Sequence, residues 1–99
     1  MRILVDMSAT LLHHGHIRIL KKASELGTVV VALTSDKEII KKKNFEPELD
    51  FQYRKEILES IKYVSEVIES PWIIDQNFID KNKIDYLLHG NDNFNDVKD

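Results

Sequence analysis

RILVDMSATLLHHGHIRILKKASELGTVVVAL, from Arg2 to Leu33, decides the fold. It opens on a short apolar run, Ile3-Leu4-Val5, which reads as a buried strand from Arg2 to Met7. The segment His13 to Leu26 then repeats apolar residues at helical spacing: Ile17, Ile19, Leu20, Ala23 and Leu26 mark an inward face. Gly27 reads as the stop after that helix. Thr28 to Leu33, TVVVAL, is β-branched and wholly apolar, as strands buried on both faces of a parallel sheet are. A strand, a helix and a second strand in so short a stretch imply a parallel pair joined by a crossover helix.

The rest of the chain extends that unit. Ser35 to Leu49 is the least regular part, a loop with the run Lys41-Lys42-Lys43 and Pro47. Asp50 is placed to cap a helix reaching Val64, with Ile57, Leu58, Ile61 and Val64 on one face. Glu66 to Glu69 reads as a third strand. Ser70-Pro71 reads as the opening of another helix, since proline suits a first turn. Asp85 to His89 is a fourth strand, and Gly90-Asn91-Asp92 turns after it. The order β-α-β-loop-α-β-α-β predicts an α/β fold, a Rossmann-like parallel sheet with flanking helices.

Composition sets the outer limits. Ninety-nine residues fit one domain, and 42% hydrophobic with 31% charged residues is ordinary for a globular chain. A net charge of −3 gives no basic field for nucleic acid. The absence of cysteine excludes disulfides, thiolate metal sites and a thiol nucleophile, and it fits a reducing compartment. No run of apolar residues is long enough for a signal peptide or a membrane span. The expectation is a cytoplasmic protein with no nucleic-acid or membrane partner.

In such sheets, ligands sit beyond the carboxyl ends of the strands. The polar clusters fall there: His13, His14, Gly15 and His16 after the first strand, the lysines after the second, and Gly90-Asn91-Asp92 after the fourth. His13 and His16 are three apart and share a helix face. Gly15 lets a ligand approach the backbone. A helix start offers unpaired N–H groups and partial positive charge, which favour phosphate. The residues alone allow three readings of the histidines: a phosphate cradle, a polar helix start, or a metal site completed by Asp6 or His89. The lysine run is either a solvated charge cluster or a phosphate clamp. Arg54 sits in the first turn of its helix, where a cation opposes the dipole; it serves either a ligand or a salt bridge to a nearby carboxylate. Asp92 is either a turn residue or a ligand for Mg²⁺ or a ribose. Trp72 and the phenylalanines read as core.

Taken together, these stretches resemble the cytidylyltransferase-like nucleotidyltransferases. HHGH matches their HxGH motif, YRKEILESIKYVSEVIES is similar to the arginine-bearing helix and next strand of the glycerol-3-phosphate cytidylyltransferases, and HGND is similar to their late HGDD or HGND turn. The resemblance covers nearly the whole chain, in order. It implies a nucleotidyltransferase fold over residues 1–99 and transfer of CMP from CTP to a small alcohol phosphate such as glycerol 3-phosphate, with release of pyrophosphate. By position it implies His13, His16, Lys42 and Arg54 as catalytic. It implies Ser8, Ala9, Gly15, Gly90 and Asp92 at the nucleotide, Met7, Thr10 and Arg54 at the acceptor, and Asp92 at Mg²⁺. Family members often form homodimers.

Two departures qualify what the resemblance implies. Where the family has Gly-(Thr/Ser)-Phe-Asp, this chain has Met7-Ser8-Ala9-Thr10, which alters the acceptor pocket and makes a phosphonate an alternative acceptor. The late Arg-x-x-Gly-(Ile/Val)-Ser-Thr motif is not found before Asp99. Adenylyl transfer from ATP and a non-catalytic nucleotide-binding domain are the rival functions.

Overall fold

The computed structural model describes residues 1–7, 14–44, 50–89 and 97–98. The elements run β1 (Arg2–Met7), α1 (His14–Leu26), β2 (Thr28–Thr34), α2 (Asp36–Lys43), α3 (Phe51–Glu59), β3 (Glu66–Ser70), α4 (Gln76–Lys81), β4 (Tyr86–His89) and β5 (Val97–Lys98). They form one sheet of order β3-β2-β1-β4-β5. The first four strands are parallel, and β5 pairs with β4 antiparallel. The Rossmann-like α/β expectation holds.

Apolar alternation explains the layers. Ile3, Val5 and Met7 point to one face with Val29, Val31 and Leu33, under Ile19, Leu20 and Ala23 of α1 and Leu58 of α3. Leu4, Val30, Ala32 and Leu87 point to the other, where Ile68, Ile74, Phe78 and Ile79 pack on them. Both faces of β1 and β2 are therefore dry, which is why those strands carry no polar alternation.

Several boundaries differ from the sequence expectation, each for a local reason. The segment after β2 is a helix and not a loop: Ser35 caps α2 by accepting from the Glu38 N–H, and Asn44 ends it in the left-handed conformation. Lys41 and Lys42 are exposed on its last turn, at the favourable end of the helix dipole. Asp50 does cap α3, accepting from the Tyr53 N–H, but that helix stops at Glu59. Ile61 and Val64 then pack on the core from turns. The last helix starts at Gln76 under an Asp75 cap and not at Pro71. Trp72, Ile57 and Leu26 are exposed rather than core.

Gly27 is glycine for want of space, not for backbone freedom. Among the described residues no glycine has a positive φ. A Cβ at Gly27 would lie 2.3 Å from the Met1 carbonyl oxygen, which accepts the Thr28 N–H at 2.8 Å.

Candidate active site at the carboxyl rim

The strand order fixes where a ligand belongs. β1 leads through α1 to β2 on one side, while β4 lies on its other side. Crossovers therefore diverge above β1 and β4, and a crevice at such a switch point is the usual ligand site. Asp6 of β1 stands opposite His89 of β4 and Ala32 of β2 in register. Met7, the last residue of β1, is buried on the α1 face. Asp6 is half-buried.

α1 begins directly above this point. Its buried residues are His16, Ile19, Leu20 and Ala23, at i, i+3, i+4 and i+7. His16 is thus the rim end of the stripe whose lower members form the core, and the residue is only 8% exposed. His14, two residues earlier, is exposed, as befits the variable position of the motif. Gly15 between them is half-buried. The first turn of a helix directs free N–H groups at whatever lies beyond it. An open cleft along α1 runs from His14 and Gly15 past Arg18 to Lys21, Lys22 and Glu25, so cations outnumber the one carboxylate along its length. Ser8, Ala9, Thr10, His13, Gly90 and Asp92 lie outside the described residues.

Arg54 reaches the same rim from α3, and here the salt-bridge alternative is what the structure contains. Its side chain has no exposure. One guanidinium nitrogen donates to the Thr34 carbonyl at 2.9 Å, the other to Asp36 Oδ1 at 2.5 Å. The second oxygen of Asp36 accepts the Phe51 N–H at 3.0 Å. The guanidinium also lies over the Phe51 ring, 5.8 Å from its centroid. Thr34 donates its hydroxyl to the Met7 carbonyl at 3.3 Å, and the Ser35 N–H donates to Ser70 at 3.2 Å. The carboxyl ends of β1, β2 and β3 and the starts of α2 and α3 are therefore joined by one polar network. Lys42 is not part of it. An eight-residue helix is about 12 Å long, and Lys42 stands in its last turn, while the network meets α2 at its start.

Asp36 and Thr34 were not singled out by sequence. The signal for α2 was present, since Ser35-Asp36-Lys37-Glu38 has the Ser-x-x-Glu form of a capping box. Glu38 itself turns outward from that box and accepts the Trp72 N–H at 3.0 Å.

Among the described residues no three histidine or carboxylate side chains converge as a metal site. Among the described residues no helix is long and apolar enough to cross a membrane.

A sheet covered on both faces, with a helix start above its switch point, is the architecture of Rossmann-like nucleotide-binding domains. The family model described as Cytidylyltransferase-like matches residues 9–99, and the chain belongs to that family. It is 37% identical over 95 residues to the glycerol-3-phosphate cytidylyltransferase of Staphylococcus aureus, covering 92% of this chain and 70% of that one. It is 35% identical over 97 residues to the ethanolamine-phosphate cytidylyltransferase of Arabidopsis thaliana, covering 92% of this chain and 23% of that one. It is 37% identical over 95 residues to the FAD synthase of Thermococcus kodakarensis, covering 94% of this chain and 64% of that one. The chain thus spans from about a quarter to about two-thirds of the length of these relatives. The crystal structure of the lipopolysaccharide core biosynthesis protein from Thermoplasma volcanium GSS1 superposes with a TM-score of 0.77, covering 89% of this chain and 72% of that one. At 24% identity that likeness speaks for the fold.

Proposed function

We propose that this protein is a nucleotidyltransferase that moves CMP from CTP to a small alcohol phosphate, with glycerol 3-phosphate as the first candidate. A phosphate oxygen of the acceptor attacks the α-phosphorus of CTP in line. The bond between the α-phosphorus and its bridging oxygen breaks, and pyrophosphate leaves with the electron pair. Catalysis of this kind is mostly positioning and charge stabilisation.

The observation that carries the reading is the buried His16 in the first turn of α1, above the switch point of the sheet. Held in that place, its imidazole donates to an α-phosphoryl oxygen, where charge grows in the transition state. Gly15 admits the phosphate chain close to the backbone, and the basic side of α1 favours it electrostatically. His13, Ser8, Ala9, Gly90 and Asp92 are assigned to the nucleotide by motif position, Lys42 to phosphate, and Met7 and Thr10 to the acceptor. Mg²⁺ bound with the triphosphate, with Asp92 as its protein ligand, would neutralise charge on the leaving pyrophosphate. The altered stretch Met7-Ser8-Ala9-Thr10 leaves a phosphonate as the alternative acceptor. The family's habit supports a homodimer, which sedimentation tests.

A second reading, adenylyl transfer from ATP, is favoured by the FAD synthases among the relatives, since FAD contains an AMP half. One experiment separates them. The protein is incubated with Mg²⁺, CTP or ATP, and a panel of alcohol phosphates and phosphonates, and pyrophosphate release is measured. Release with CTP and glycerol 3-phosphate is the expected result. Release with ATP alone replaces the first reading by the second. CTP binding in the calorimeter without release from any acceptor leaves a binding domain and overturns both.

A further inference from the structure

We propose that Arg54 and Asp36 act as one positioning unit that fixes the end of β1, and that Arg54 does not itself take a substrate phosphate. The inference rests on the transferase reading for its catalytic consequence and on the hydrogen-bond network for its geometry.

Burial first sets the direction. The Arg54 side chain is fully buried, while that of Asp36 is 36% exposed. The member of the pair that faces solvent is the negative one. A phosphate arriving from solvent meets a carboxylate before it meets the guanidinium. To reach Arg54 it must displace Asp36 from Nη2, which also strips the Phe51 N–H of its acceptor. Leaving a part-buried donor unsatisfied and a buried cation re-paired is expensive compared with using an exposed lysine.

The bonds that Arg54 makes show what it does instead. Through Nη1 it holds the Thr34 carbonyl, the last backbone acceptor of β2. The Thr34 hydroxyl holds the Met7 carbonyl. Met7 is the residue at which the chain leaves β1 toward the histidine motif. Asp36 ties the same guanidinium to the first residue of α2 and to the first N–H of α3. Three side chains, those of Arg54, Asp36 and Thr34, thus set the relative positions of β1, β2, α2 and α3 at the rim. A planar guanidinium with a fixed fork can serve a carbonyl and a carboxylate at once, which a lysine ammonium does with less definition. Met7 opens the stretch Met7-Ser8-Ala9-Thr10 in which the family pattern changes, so the unit governs the point from which that stretch leaves the sheet.

The test uses the whole chain with Asp36→Asn, Arg54→Lys and the double substitution, at a temperature where circular dichroism shows each variant folded. Pyrophosphate release gives kcat and the KM for CTP and for glycerol 3-phosphate. As a positioning unit, each single change lowers kcat by between about tenfold and 100-fold, moves both KM values together, and the double variant is no slower than the worse single. If Arg54 binds the acceptor phosphate, Arg54→Lys raises the acceptor KM alone, and Asp36→Asn, by unmasking the arginine, lowers it; that pattern overturns the proposal. Unchanged kcat in both singles overturns it as well, leaving a role in stability only. Silence of the unmodified protein with every nucleotide is the failure of the transferase reading. The positioning claim is then decided by amide exchange: Asp36→Asn must speed exchange at Phe51 and at the β1–β2 rim while sparing the Arg2–Thr28 end. Equal protection at the two ends in that variant overturns it.

Discussion

The sheet carries an arginine–carboxylate pair at each end, and the two differ in nearly everything but chemistry. At the amino end, Arg2 Nη2 lies 3.3 Å from Glu66 Oε1, with 34% and 49% of the side chains exposed. Its Nε donates to the Asn82 carbonyl at 3.0 Å, and its backbone N–H to Asp85 at 2.7 Å. These contacts sew the first strand to the start of β3 and to the turn before β4. At the carboxyl end, Arg54 is wholly buried, and its bonds reach the end of β2 and the first residue of α2. Water reaches both members of the first pair but only the carboxylate of the second, so equal charges have unequal weight. Burying a cation is an expense that stability alone seldom justifies. It is found here at the end of the sheet where a nucleotide belongs, and the cheap pair is found at the other.

The sharpest way to break this contrast is to remove each arginine. Arg54→Ala leaves the Thr34 carbonyl and half of the Asp36 carboxylate without their donor, and it should cost about 3 kcal/mol in urea unfolding. A loss below that of a surface pair would mean the rim network relaxes into water, and the distinction between the two ends would collapse. Slightly smaller in free energy, but on activity rather than stability, is His16→Ala. Loss of one donor to a growing phosphoryl charge should lower kcat about 100-fold with a much smaller change in CTP affinity. Equal turnover would remove the role assigned to His16 and leave its burial as packing.

How much of this was legible follows from periodicity. β1, α1 and β2 were readable because burial on both faces makes strands continuous and makes the helix stripe regular. His16 opens the buried stripe in the structure, whereas the sequence reading ran the inward face from Ile17 to Leu26; Ile17 is half-buried and Leu26 exposed. α2 was missed because its charged sequence hides a single buried residue, Ile39, behind lysines. α3 was read too long because Ile61 and Val64 keep helical spacing while sitting in turns. Pro71 misled because a capping aspartate at Asp75 outweighs it, and β5 is two residues held by pairing rather than by pattern. The ion pair of Arg54 was foreseen as an alternative, but its partner was not. Eighteen residues separate Arg54 from Asp36, and only the fold joins them.

Gly27 offers a test at the amino end that does not involve charge. An alanine there would drive its Cβ into the Met1 carbonyl, at 2.3 Å in the present arrangement. Met1 is 69% exposed and can swing aside, at the expense of its bond to the Thr28 N–H. The expected loss is about 1–2 kcal/mol, between overpacking and one lost hydrogen bond. It should appear as a lower denaturation midpoint with kcat unchanged. A loss of activity would mean that strain at the amino end reaches the rim through β1, which the separate networks argue against.

The smallest effect is the most diagnostic of the contrast. Glu66→Gln removes the charge of the exposed pair and leaves Arg2 its bonds to Asn82 and Asp85. Long side chains at the surface gain little from pairing, because water solvates each nearly as well apart and ordering them has an entropy cost. The loss should be under about 1 kcal/mol. It should shrink further between 0.05 and 1 M NaCl, where the screening length falls from above ~10 Å to about 3 Å. Arg54→Ala measured over the same range should keep the larger share of its deficit, since the guanidinium has no exposure and only its Asp36 partner reaches solvent. Two arginines with parallel salt dependence would show that the buried pair is solvated after all. Divergent curves would show that what separates the two ends of the sheet is access to water, which is also what a phosphoryl-transfer site must control.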